Sequence, residues 1–468
     1  VLNLRRLLGM KLHTQNTPRL ILKDTLRYQL FNVQCSLLID KMWLSKLKNT
    51  NNWIWRWFCV SVLFFPLFPA LGALGLVVVL TIVWRNSYAQ ILRSSLNRAF
   101  GILASLLILS AALAEYPQEA GLGLANFLPY FALFMALRCL ITEPRQLRIL
   151  SWLLILPSLP IVVLGLGQLF LAWDTIALIE SIFGWQLVPL GVPPGRMSSV
   201  FNYANFLAIY LAIAFTLTLG LWWSTWRQKS TNLSNQRLFS LCLLMLILLA
   251  DLSGLVLTSS RNAWGLAVFS FMAYALYFGW KFLIWGVTGA ATAIIWASFA
   301  PNLGGMQLRQ IVPTFIWVRL SDQAYERPVE TLRLTQWQFC WDLITKRPVF
   351  GWGLRNFTPL YEAKMNLWLG HPHNLFLMFG AETGIISLLL FLVIIAVIMF
   401  PAAKLFLTCS GQESDLILFS YLVAFTAYIL FNLTDVTIFD LRVNTIAWIL
   451  LAAISGVTNS QLSKPEIN

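Results

Sequence analysis

A succession of long apolar runs constrains this chain more than any other feature. They fall at about 57–84, 98–114, 121–140, 149–171, 204–226, 238–257, 262–280, 281–300, 375–400, 416–432 and 440–458. About 20 apolar residues in a helix cross a hydrocarbon layer, where every backbone N–H and C=O must find its partner inside the segment. The expected fold class is therefore all-α, a polytopic integral membrane protein with about 12 transmembrane helices and one large extracytoplasmic loop. Hydrophobic residues make up 58% of the chain and charged residues 11%, against about a quarter charged in soluble domains. A soluble globular protein is excluded.

The first run decides the topology, because Pro66 and Pro69 interrupt it. It is either one span or a hairpin of two short ones. Taken as a hairpin with the N-terminus inside, it places Arg85, Arg93, Arg98, Arg138, Arg145, Arg148, Arg227, Lys229, Arg237, Lys281 and Lys404 on the inner side. Apart from the long 301–372 loop, which weighs little in the charge rule, the outer connections then hold few basic residues: none in 115–120 or 433–439, Arg196 in 172–203 and Arg261 in 258–261. A single span would invert every later loop. The positive-inside rule thus favours twelve spans with both termini cytoplasmic. The organisation expected is a basic arm (1–56), transmembrane helices (57–300), an extracytoplasmic loop with short helices (301–372), further spans (373–458) and a cytoplasmic tail (459–468).

The net charge of +14 does not call for nucleic acid. Residues 1–56 carry ten Lys/Arg against two acidic residues, the usual flank of a first span facing anionic lipid. Leu20 to Leu47 mixes apolar and basic residues, as an interfacial helix would. Cys35, Cys59, Cys139, Cys242, Cys340 and Cys409 are scattered without metal or disulfide spacing. Tryptophans such as Trp222, Trp223 and Trp226 close a span at headgroup level.

Polar chemistry gathers on the outer side. His371-Pro372-His373-Asn374 holds two of the chain's three histidines and stands directly before an apolar run. Histidine moves its proton most readily near neutral pH; the alternative is a polar helix start with Asn374 or a histidine as cap. Three other clusters accompany it: Arg196 through Asn205, Thr258-Ser259-Ser260-Arg261-Asn262, and Arg333 through Phe357, which includes Arg347 and Arg355. Arginines at span mouths beside Ser and Asn suit phosphate, since guanidinium offers a planar fork of donors. A single arginine is otherwise explained by snorkelling to headgroups. Glu382 lies inside an apolar run, where a carboxylate is either functional or part of a polar network; Asp251 is a second case. Leu332 to Ile344 has a helical apolar period within the loop. No Cys or third His stands beside His371 and His373, so neither a metal nor another cofactor is expected.

The ordered series Arg196…Asn202-Tyr203-Ala204-Asn205, Ser260-Arg261, Arg333…Trp337, Arg347-Pro348…Gly351-Trp352-Gly353 and His371-Pro372-His373-Asn374…Glu382-Thr383-Gly384 resembles the O-antigen ligase family. That family includes O-antigen polymerases and cyanobacterial members once assigned as bicarbonate transporters. The resemblance is best over about 190–400 and departs from the family at Asn202-Tyr203, where Pro-Asn is common. It implies a metal-independent glycosyltransferase of the bacterial inner membrane. The implied donor is a glycan on undecaprenyl diphosphate, and the acceptor is a lipid, glycan or protein. Carried onto this chain, Arg196 and Arg261 hold the diphosphate with Arg333 nearby, and His373 assists the acceptor hydroxyl. The wider candidate site comprises His373, Arg261 and His371 as catalytic residues. Arg196, Arg333, Arg347, Arg355, Asn374 and Glu382 are the candidates for diphosphate or glycan binding. The partners implied are the lipid-linked glycan, its acceptor and membrane lipids. The alternatives are a transporter of a small anion such as bicarbonate and a non-catalytic assembly factor.

Overall fold

The computed structural model describes residues 52–175, 180, 183–228, 235–321, 328–408 and 413–463. The basic arm, the interfacial helix expected over Leu20 to Leu47, Cys35, Lys229 and Cys409 lie outside the described residues.

Among the described residues there are helices and no strand. The helices are α1 Asn52–Phe64, α2 Pro69–Arg93, α3 Ser95–Ala112, α4 Pro117–Leu124, α5 Leu128–Leu140, α6 Pro144–Ile155, α7 Ser158–Phe170, α8 Ala204–Trp226, α9 Asn235–Leu257, α10 Arg261–Phe278 and α11 Lys281–Phe299. There follow α12 Gly305–Leu308, α13 Thr314–Leu320, α14 Arg333–Lys346, α15 Phe357–Met365, α16 Leu375–Thr408, α17 Glu413–Asn432 and α18 Leu441–Leu462. With α4–α5 and α6–α7 each counted as one, 10 helices among the described residues are long and apolar enough to cross a membrane. The 13-residue α1 and the 18-residue α10 are further helices that lie outside these ten.

The first run is a hairpin. Proline ends α1 and opens α2, where a missing N–H costs nothing. A Cβ on Gly72 would meet Phe65, and one on Gly75 would meet Ser61, so the two helices run antiparallel in close contact. α8 and α18 are the most enclosed spans, with 89% and 94% of their apolar windows buried against 11% for α11. They form the centre of the bundle, with α5, α9 and α17 packed around them.

The connections sort into two ends. At one, Arg138 donates to Ser94 Oγ (2.6 Å) and Asn459 Oδ1 (3.2 Å), and Arg148 to Thr225 Oγ1 (2.9 Å). Arg237 reaches Thr225 O (3.1 Å). These guanidiniums satisfy polar groups at helix ends, a use beyond the headgroup contact that snorkelling supplies. At the other end lie the loops around Arg196, Thr258, His373 and Asp435.

Candidate functional site

Helix α16 is opened by Asn374, whose Oδ1 accepts Leu377 N–H at 3.0 Å. Asn374 is thus a helix cap. His373 precedes it at φ 52°, a left-handed backbone that a residue with a Cβ holds only under constraint. Two bonds supply that constraint. His373 N–H donates to His371 Nδ1 (3.2 Å), and the indole of Trp337, projecting from α14, donates to Pro372 O (3.0 Å). The two imidazoles meet edge to face at 4.5 Å.

Between α17 and α18 stands Asp435, its side chain 4% exposed. Its Oδ1 lies 3.1 Å from His373 Nδ1 and accepts Val436 N–H at 2.9 Å, while Oδ2 accepts Asn205 Nδ2–H at 2.6 Å. Asn205 in turn accepts from Arg196 Nη2 (2.6 Å), and Arg196 Nε donates to Thr258 O (2.8 Å). A continuous chain of hydrogen bonds therefore runs from the 258 turn through Arg196, Asn205 and Asp435 to His373. The Arg196 loop is held from behind by buried Gln168, whose Oε1 accepts Ser198 N–H and Ser199 N–H. Arg261 follows Thr258 by three residues and begins α10, so its Cα lies within ~11 Å of that carbonyl's residue. Arg333 begins α14 and its charge reaches His371.

Burial pushes the Asp435 carboxyl up, but the His373 hydrogen bond, both imidazoles and Val436 N–H outweigh it and leave it below its ordinary value. An ionised carboxylate only accepts, so Nδ1 of His373 is the donor in that hydrogen bond. Its side chain is 28% exposed, enough for a substrate to reach. Burial pushes His371 down to about 4; Asp435 opposes that shift, and His373 and Arg333 reinforce it. At neutral pH His371 is therefore uncharged.

Donor atoms of His371, His373 and Asp435 all lie within 4.8 Å of one another, a spacing a cation could bridge. The tautomers oppose it. A ligating histidine normally donates its second N–H to an acceptor, whereas His371 Nδ1 faces the His373 N–H donor. The cluster fits a hydrogen-bonded imidazole–carboxylate pair better than a metal centre.

The remaining candidates are held by partners of their own. Arg347 pairs with Glu115 (3.1 Å) and covers the Trp352 ring; Arg355 pairs with Glu119 (3.3 Å). Glu382 Oε1 accepts Phe357 N–H (3.2 Å). Its backbone C=O accepts Gly353 N–H and Ser110 Oγ–H, and Ala381 O accepts Trp352 N–H. These bonds replace helical ones lost at Gly384, where φ 84°, ψ 164° interrupts α16. A Cβ at Gly351 would stand 2.4 Å from the Glu382 carbonyl, so only glycine allows the approach. The Arg347–Gly353 and Glu382–Gly384 elements clasp each other.

Asp435 and the role of Asn205 are not readable from the sequence. The one signal for Asp435 is a lone carboxylate in a short connection between two spans, without a local pattern to mark it.

The fold and site together define a polytopic helical membrane protein with an imidazole–carboxylate pair and arginines at one end of its bundle. Residues 243–392 match the family model for O-antigen ligase. The match covers about a third of the chain and includes Arg261, Arg333, the clasp and both histidines. Arg196, Asn205 and Asp435 lie outside it. No curated protein compared with the chain matches it significantly.

Proposed function

We propose that the protein is a metal-independent glycosyltransferase. It transfers a glycan from a polyprenyl-diphosphate carrier to a hydroxyl of a lipid, glycan or protein on the outer side of the bacterial inner membrane. The observation that carries this reading is the bonded chain Arg196–Asn205–Asp435–His373, which joins an anion-binding group to a general base. The acceptor hydroxyl gives its proton to His373 Nε2 as its oxygen attacks the anomeric carbon. The bond from that carbon to the diphosphate oxygen breaks, and the lipid diphosphate leaves. One direct displacement inverts the anomeric centre. Negative charge grows on the leaving oxygen, where Arg196, Arg261 and Arg333 supply fixed positive charge in a partly dry site. Asp435 holds the His373 tautomer and stabilises the imidazolium that forms, a contribution of order 10²–10⁴ for the pair. His371, neutral, holds the His373 backbone.

Surface glycans of a deletion strain test this directly. Complementation with wild type restores a glycan ladder or its attachment, and His373→Ala or Arg261→Lys, inserted at equal level, does not. Restoration by both variants would reject the reading. Unchanged glycans with altered inorganic-carbon uptake would indicate anion transport instead.

A further inference from the structure

Asp251 belongs to none of this machinery. It lies on α9 six residues before Leu257, ~9 Å along the helix from the site end. It is fully buried, and among the described residues the Ser158 hydroxyl is the one side-chain group shown within reach of its carboxylate. A lone intramembrane carboxylate is costly and marks an ion pathway or site by default. What faces it strengthens that reading. Ser158 is the polar side chain beside it, and Ser158 opens α7 just after the α6–α7 span breaks at Leu156-Pro157, halfway along its length. Pro157 and Pro160 have no N–H, so the carbonyls of Leu153 and Leu156 lose their helical donors. The Ser158 hydroxyl is bonded to Ile155 O (2.8 Å), and Tyr210 OH, from α8, to Leu154 O (3.0 Å). One turn along from Asp251, a Cβ on Gly254 would meet Leu211 and Val162, so α7, α8 and α9 are in contact at this level.

A buried carboxylate beside a hydroxyl and an interrupted helix whose Leu153 and Leu156 carbonyls lack i+4 N–H donors resembles the donor sets that membrane proteins use for hard monovalent cations. We propose that Asp251, Ser158 and the backbone at the Leu153–Leu156 break form an intramembrane site for a monovalent metal cation. One carboxylate neutralises one such charge, whereas a divalent ion would leave net charge in hydrocarbon. The site is independent of glycan transfer.

The test is thermal stability of the purified full-length protein in detergent, titrated with NaCl or KCl against choline chloride at constant ionic strength. Wild type gains about 3–6 °C, saturably, in at least one metal salt over choline. Asp251→Asn, which keeps the side chain's size, loses that difference. Ser158→Ala keeps a difference but needs about tenfold more salt for half of it. Identical midpoints in all three salts, or an undiminished metal-specific gain in Asp251→Asn, overturn the proposal. If Asp251→Asn does not fold, the wild-type salt comparison and Ser158→Ala decide: a half-point unchanged from wild type in Ser158→Ala overturns it.

Discussion

Asp435 reaches His373 across 62 residues of sequence and sets which imidazole nitrogen is left to act. Replacing it by Asn allows the amide to donate toward Nδ1 and select the wrong tautomer. Asp435→Asn is expected to lower glycan transfer by ~10²–10⁴ with little change in donor binding, read as a fall in kcat with KM nearly constant. The histidine pair was legible because two of three histidines stand together at a span mouth. Asp435 was not, because its meaning depends on a contact that no local spacing encodes. His371 supplies a pH signature. Unfolded, it takes its proton near pH 6.5, and folded only near about 4. Between those values the unfolded chain binds more protons. Stability therefore falls as pH drops through that window, by up to ~1.4 kcal/mol per unit. Thermal midpoints between pH 7 and 4.5 should fall more steeply for wild type than for His371→Asn.

The clasp between the Arg347–Phe357 segment and the break in α16 belongs to the scale of elements. Both sequence motifs were visible, and α14 followed from its apolar period. That the motifs bind each other was hidden: glycines permit a tight turn without saying what approaches it. Gly351→Ala forces a Cβ into the Glu382 carbonyl and strains a residue at φ 66°. It should destabilise the protein by more than ~2 kcal/mol and lower the yield of folded material. Arg347→Ala removes a half-exposed ion pair with Glu115 and should cost no more than ~1 kcal/mol. Glycan transfer by Arg347→Ala should stay within a few-fold of wild type, whereas Arg196→Ala should lose it. Equal losses in the two would return Arg347 to the substrate site.

At the scale of the whole molecule, apolar runs and loop charge carried most of the fold, because hydrocarbon enforces helices and leaves few alternatives. Alternation of the spans brings Arg196, Thr258, His373 and Asp435 to one end and Arg138, Arg148 and Arg237 to the other. The positive-inside rule assigns the second end to the cytoplasm. A single cysteine at position 434 should then react with a membrane-impermeant maleimide added to intact spheroplasts, and one at position 228 only after lysis. The reverse pattern would invert the topology and remove the site from the outer face.

Transfer itself is the most direct measurement. Purified protein is mixed with a polyprenyl-diphosphate-linked glycan and a hydroxyl acceptor in the presence of EDTA, and released polyprenyl diphosphate is followed. Wild type should release it, while His373→Ala and Asp435→Asn, equally well folded, should release about one-hundredth as much or less. Release at the wild-type rate by His373→Ala, or none by wild type until a divalent metal is restored, would contradict a metal-independent imidazole–carboxylate base.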